Sequence, residues 1–272
     1  MPRVYHLHLV SDATGETLNT VARAITVQFE NLSAKEHVYA LVRNKRQIAR
    51  VVEHIRANPG IVFFTLVNPD LRALLEKECA KLHIPCVSIL DPAAKALREY
   101  LGAEESHRPG GQHEVDARYM ERVEAVNYAI HQDDGQGIEH LHLSQVILVG
   151  PSRTSKTPTC VYLAIRGIRA ANVPFVRGIA LPAQLLEQTQ SLVVGLWASP
   201  ERLLQVRRNR LSTMGETRGT DYIDEAAVRA EIAEARRLYE RQDWPSIDVT
   251  RRSIEETAAT VLNLLAERNE HS

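Results

Sequence analysis

The run Val146-Ile147-Leu148-Val149-Gly150-Pro151-Ser152-Arg153-Thr154-Ser155-Lys156-Thr157 is where residue types and spacing promise chemistry. A short apolar segment enters a polar loop, and Gly150, Lys156 and Thr157 stand at the spacing of the phosphate-binding pattern G-x-x-x-x-G-K-[ST]. In such a loop, successive backbone N–H groups and a helix N-terminus face phosphate oxygens. The lysine reaches the terminal phosphoryl oxygens and the following hydroxyl can hold Mg²⁺. The candidate nucleotide-binding set is therefore Gly150, Pro151, Ser152, Arg153, Thr154, Ser155, Lys156 and Thr157, with Lys156 as catalytic cation and Thr157 as the metal-facing hydroxyl. The second glycine of the pattern is replaced by Ser155, so the backbone there must either avoid positive φ or tolerate strain. The same residues would also suit a plain strand-to-helix turn with a solvated lysine and an N-capping Ser or Thr.

Other polar groups fall at telling places. Ser11-Asp12-Ala13-Thr14-Gly15-Glu16-Thr17 follows the first apolar run, where open α/β sheets bind ligands. Asp12 is a candidate general base or metal carboxylate; alternatively Asp12 or Thr14 caps the next helix. Arg202, Arg207, Arg208 and Arg210 can cluster at one end of a helix, as in small kinases whose arginines neutralise a transferred phosphoryl group, or form a solvated face. Ser253 and Glu256 make a capping box for the last helix. His6 and His8, and His140 and His142, share i,i+2 spacing without an accompanying carboxylate or thiol cluster, and read as ordinary strand residues. Cys160 reads as a small buried hydrophobe rather than an activated thiol.

These groups must be positioned by alternating elements. Strands are expected over 4–10, 38–42, 61–66 and 86–90, with helices over 16–29, 45–58, 69–82 and 92–101. After a Gly-, His- and charge-rich loop over 102–115 come a helix over 116–131 and a sharp turn at 133–137. Further strands are expected over 144–149, 174–176, 192–197 and 246–249, and helices over 157–170, 200–211, 225–240 and 253–268. Alternation of this kind argues for α/β architecture with parallel sheets. The expected division is an N-terminal α/β domain (1–115), a connecting helix and turn (116–143) and a P-loop-kinase-like α/β domain (144–272).

Composition sets limits on function. The 272 residues carry 33 Lys and Arg against 34 Asp and Glu, a net charge of −1, so no basic body for nucleic acid is expected. No apolar run nears the ~18 residues of a membrane span, and Met1-Pro2-Arg3-Val4-Tyr5-His6 lacks a signal-peptide core. Cys79, Cys86 and Cys160 are odd in number and outside CxxC spacing, which suits reduced thiols in the cytoplasm.

Assembled, these segments resemble a bacterial regulatory family of bifunctional serine/threonine kinases and pyrophosphorylases that control pyruvate, phosphate dikinase or phosphoenolpyruvate synthase. The resemblance runs along nearly the whole chain. It rests on residues 8–17, Asp133-Asp134-Gly135, residues 149–159, Ala171-Asn172-Val173-Pro174, Val194-Gly195-Leu196-Trp197 with the following arginines, and Ile247-Asp248-Val249-Thr250. Serine in place of the second loop glycine is a habit of that family. The resemblance implies ADP as phosphoryl donor to a target threonine, inorganic phosphate as co-substrate for its removal as pyrophosphate, and Mg²⁺. It assigns residues 150–157 to the ADP phosphates, Lys156 to transition-state charge and Thr157 to the metal, with Asp12 as candidate base. The Asp-x-Asp of shikimate-type kinases is missing after the second strand of this half, so no base transfers by that analogy. The wording Thr154-Ser155-Lys156-Thr157 and the compact length favour the dikinase as target, with the synthase as the alternative. A homodimer is left open. A kinase for a small metabolite and a nucleotide-sensing module that only binds are the competing readings.

Overall fold

The computed structural model describes residues 3–106, 109, 117–187, 190–214 and 222–270. The chain divides into two compact units, Met1–Glu114 and Val115–Ser272. Most of the loop expected over 102–115 lies outside the described residues.

The first unit alternates β1 (Arg3–Ser11), α1 (Glu16–Thr26), β2 (Leu32–Tyr39), α2 (Lys45–Ala57), β3 (Gly60–Thr65), α3 (Pro69–Lys81), β4 (Cys86–Ser88) and α4 (Asp91–Leu101). Its four strands are parallel, in the order β2-β1-β3-β4. Successive side chains of a strand point to opposite faces. Leu7 and Leu9 therefore pack with Leu18 and Ala22 of α1, while Val10 packs with Ile48, Val52 and Ile55 of α2 and Leu75 of α3. β2 was expected at 38–42 but begins at Leu32. It is an edge strand with mostly exposed side chains, so it lacks the apolar run that would announce it.

The second unit opens with α5 (Ala117–His131), 3-10 turns over Asp133–Gly135 and Ile138–Leu143, β5 (Val146–Gly150), α6 (Lys156–Ala164) and β6 (Ala170–Pro174). It continues through α7 (Ala183–Leu186), β7 (Leu192–Trp197), α8 (Pro200–Met214), α9 (Glu225–Arg241), β8 (Ser246–Asp248) and α10 (Ile254–Glu270). This sheet is also parallel, in the order β6-β5-β7-β8. The helix expected over 157–170 stops at Ala164, and the strand expected at 174–176 starts at Ala170. Ala170 and Ala171 have helical propensity, yet they pair with Val146 and Ile147 and are fully buried, so tertiary packing overrides propensity. The expected capping box forms: the Glu256 carboxylate accepts the Ser253 N–H at 2.8 Å and the Ser253 hydroxyl accepts the Glu256 N–H at 3.1 Å.

Each sheet has its first strand flanked by the second and third, so the direction in which strands are added reverses at β1 and at β5. Ligands of open α/β sheets sit beyond the carboxyl ends of strands at such switch points. Val146 and Leu148 face a core with Leu163, Val194, Leu196 and Val261, and Ile147 and Val149 face one with Val173, Val193 and Tyr239. Tyr239 also fixes the root of the loop after β5, since its hydroxyl donates to the carbonyls of Val149 at 3.2 Å and Leu196 at 3.1 Å. Gly195 gives its ring room: a Cβ there would lie 2.4 Å from Tyr239 Cδ2. Gly195→Ala is expected to destabilise the second unit by about 1–3 kcal/mol through overpacking. Urea unfolding followed by tryptophan fluorescence checks this, because both tryptophans, Trp197 and Trp244, belong to that unit. A parental midpoint would contradict it.

Candidate active site

β5 ends at Gly150, where a Cβ would lie 2.5 Å from the Leu196 carbonyl oxygen, so only glycine lets β7 come this close. The loop then turns through two left-handed residues, Arg153 at φ 72° and Ser155 at φ 60°. Ser155 thus takes the strained alternative posed by the missing glycine, at a cost of roughly 1 kcal/mol. It is the N-cap of α6 but makes no side-chain cap bond, which removes the capped-turn reading. Thr154 is buried and its hydroxyl donates to the Pro151 carbonyl at 2.9 Å.

Lys156 is not solvated. It is 6% exposed, and its Nζ donates to the carbonyls of Gly150 at 2.9 Å and Pro151 at 3.1 Å. Burial pushes its pKa down to about 8, opposed by the nearby charges of Asp134, Glu231 and Asp133. Thr157 donates its hydroxyl proton to Asp133 Oδ1 at 2.8 Å. The same carboxylate oxygen accepts the side-chain amide of buried Asn172, whose Oδ1 takes the Asp134 N–H at 3.1 Å. The turn after α5 therefore places two carboxylates beside the loop. Asp134, Ser152, Arg153, Lys156, Thr157 and Arg210 are among the residues lining a cavity of about 770 Å³ over it. The sequence marks residues 133–137 as a sharp turn, and Asp133-Asp134-Gly135 as part of the resemblance, without pointing to a place in the site. Two adjacent acidic residues in a glycine-bearing turn were the available signal, but their distance along the chain hid the link to Thr157.

The other expected residues are distributed differently from their sequence grouping. Of the four arginines, Arg210 lines the cavity, Arg202 is exposed and reaches Gln205, Arg208 is exposed, and Arg207 is buried against the loop. The segment after β8 anchors the start of α8, with Thr250 Oγ1 accepting the Ser199 N–H at 2.8 Å. Cys160 is buried, and burial pushes its thiol pKa well up, leaving it unreactive.

In the first unit, Asp12 is 3% exposed and caps nothing: the N-cap of α1 is Gly15, without a side-chain bond. Its Oδ2 instead accepts the Val67 N–H at 2.8 Å, and its carbonyl accepts Arg43 Nε at 2.9 Å. Burial raises its pKa, partly offset by the Val67 and Asp12 N–H groups and by Arg43. The strand histidines are more than ordinary strand residues. His6 and His37 share a 2.8 Å hydrogen bond, His8 stacks on His37 at 4.7 Å, and His8 bonds Tyr39 and the Asn58 carbonyl. Burial, with weaker repulsion from neighbouring histidines, lowers the pKa of His8 and His37. Among the described residues no group of three or more His, Cys, Asp or Glu is placed to hold a metal ion, and no helix is long and apolar enough to cross a membrane.

The fold is α/β, and a strand-turn-helix with the spacing of a phosphate loop stands at the switch point of its second sheet. The chain belongs to the kinase/pyrophosphorylase family, which matches residues 7–262. A relative from Caulobacter vibrioides, assigned by name to the pyruvate, phosphate dikinase regulatory proteins, is 56% identical over 96% of this chain and 83% of its own length. Relatives with the same name from Maricaulis maris and Rhodopseudomonas palustris strain BisB18 are 52% and 54% identical, each over 97% of this chain and 94% and 95% of their own. A LacI transcriptional regulator from Lactobacillus brevis aligns over 90% of this chain and 98% of its own at 11% identity and a TM-score of 0.21, too low to bear on the fold.

The lowered pKa of Lys156 has a stability consequence. Between about pH 8 and its unfolded value of 10.5, the folded protein binds fewer protons at this amine than the unfolded chain. The burial cost is thus fully present below pH 8 and is relieved as pH rises through this window. Relative to Lys156→Met, the native protein is expected to gain up to about 3 kcal/mol between pH 8 and 10. Urea midpoints of both proteins across that range test this, and a constant difference would contradict it.

Proposed function

We propose that this chain switches pyruvate, phosphate dikinase off and on in the cytoplasm by two phosphoryl transfers. In the first, a threonine hydroxyl of the target attacks the β-phosphorus of ADP; the bond to the bridging oxygen breaks, AMP leaves and the hydroxyl proton passes to a carboxylate. In the second, inorganic phosphate attacks the phosphothreonine phosphorus; the bond to the threonine oxygen breaks, that oxygen takes up a proton to restore the hydroxyl, and the pyrophosphate formed is released. Both reactions move one phosphoryl group between a phosphate and the same hydroxyl, so one anion site serves both. The observation carrying this reading is the loop 150–157 at the β5 switch point, with its buried lysine and adjacent Asp133–Thr157 pair. The names of the relatives supply the target.

Chemistry of this kind needs positioning and charge neutralisation more than covalent help. The loop amides would hold the phosphates. Lys156, parked on two loop carbonyls, is within reach to neutralise charge that develops between donor and acceptor. Thr157 and Asp133 offer hard oxygen ligands of the kind Mg²⁺ prefers, so they fit that ion, which would neutralise phosphate charge. For the base we favour Asp134, which lines the cavity. Asp12, expected from the sequence, is the second candidate, supported by a carboxyl that burial makes more basic.

The test is ADP labelled in its β-phosphoryl group, incubated with the protein and with each of the dikinase and phosphoenolpyruvate synthase. Label is expected on a threonine of the dikinase, with AMP formed and ATP freed of ADP inactive as donor. Transfer with ATP alone, or label only on the synthase, would contradict the reading. Lys156→Ala is expected to lower the rate by about 10²-fold or more. Asp134→Asn is expected to lower it about tenfold or more at near-parental ADP affinity; the same loss in Asp12→Asn alone would move the base to the first unit.

A further inference from the structure

Arg207 lies on α8, yet it is 2% exposed and turned onto the phosphate loop. Its Nη2 donates to the Ser152 carbonyl at 3.2 Å and to Glu231 of α9 at 2.8 Å, and its Nη1 donates to the Tyr222 carbonyl at 3.2 Å. The guanidinium stacks 4.7 Å from the Tyr222 ring centre, and the Tyr222 hydroxyl meets Ser152 Oγ at 3.2 Å. Among the described residues its buried Nε has no hydrogen-bond partner. A buried ion pair with an unmatched donor is a poor stabiliser, since well-packed apolar replacements often do as well or better. Stability alone therefore does not account for the arrangement.

The geometry points to a positioning role. In a planar trans peptide the C=O of one residue and the N–H of the next point in opposite directions, and the described chain has no cis peptide. Holding the Ser152 carbonyl back toward α8 turns the Arg153 N–H the other way. Lys156 and Thr154 do the same for the Pro151 carbonyl, and so for the Ser152 N–H. Among the described residues no protein acceptor takes either N–H, and both residues line the cavity. We propose that Arg207, held by Glu231 and Tyr222, is a positioning residue that fixes the Ser152–Arg153 peptide with its N–H toward the bound phosphate, for ADP and for inorganic phosphate alike. This rests on the loop being the anion site.

The experiment is calorimetric binding of ADP, inorganic phosphate and adenosine to the full chain, beside urea unfolding. Arg207→Met/Glu231→Leu removes both charges and is expected to keep near-parental stability while weakening ADP and phosphate at least about tenfold each, with adenosine unaffected. Arg207→Lys keeps the charge without the fork and is expected to keep stability but not phosphate affinity. Lys156→Ala serves as the reference for the loop. Parental ADP and phosphate affinity in the double variant, with Lys156→Ala impaired, overturns the role of Arg207 alone. Parental affinity in both variants overturns that role and the loop assignment together. Equal weakening of all three ligands, in step with lost stability, reduces Arg207 to a structural residue.

Discussion

The contact on which the site depends is the buried amine of Lys156 against the carbonyls of Gly150 and Pro151. A loop that binds anions must turn its carbonyls away from the ligand, and carbonyls turned inward need donors. Here the donors include cations of the loop and of α8, Lys156 and Arg207. Burying an amine is costly, and the lowering of its pKa to about 8 records that cost. The nearby charges of Asp134, Glu231 and Asp133 offset part of it. Two left-handed non-glycine residues, Arg153 and Ser155, add strain of the sort that persists only where surrounding contacts over-determine the backbone. On the proposed reading, such a loop has little left to reorganise when an anion binds.

The rest of the second unit serves that loop. Parallel pairing of β5 between β6 and β7 puts its carboxyl end at the switch point, and Tyr239 ties the two strand ends together beneath it. β6 brings Asn172 to hold the Asp133–Asp134 turn against Thr157. Thr250 fixes the start of α8, from which Arg207 reaches the loop. The first unit repeats the strand order of the second, with Ser11 and Asp12 at its own switch point.

Much of this was legible in the sequence because local pattern and tertiary role agreed. The apolar run before Gly150, the spacing to Lys156 and the Ser253–Glu256 box each announced a local geometry that the fold keeps. Legibility failed where burial overrode local preference. Ala170 and Ala171 have the propensity of a helix but the neighbours of a central sheet. β2 carries too few buried apolar residues to stand out. Arg207 looked like its exposed neighbours Arg202 and Arg208, and only α9, far along the chain, supplies the Glu231 that lets it be buried. The histidines of β1 looked isolated because their partners His37 and Tyr39 come from another strand.

A crystal structure with ADP bound tests the central claim most directly. The account predicts phosphate oxygens within hydrogen-bonding distance of the N–H groups of Ser152 and Arg153, with the Ser152 carbonyl still on Arg207 and Lys156 Nζ drawn toward the phosphates. A nucleotide whose phosphates lie away from residues 150–157, or a loop whose carbonyls rather than amides face them, would contradict it.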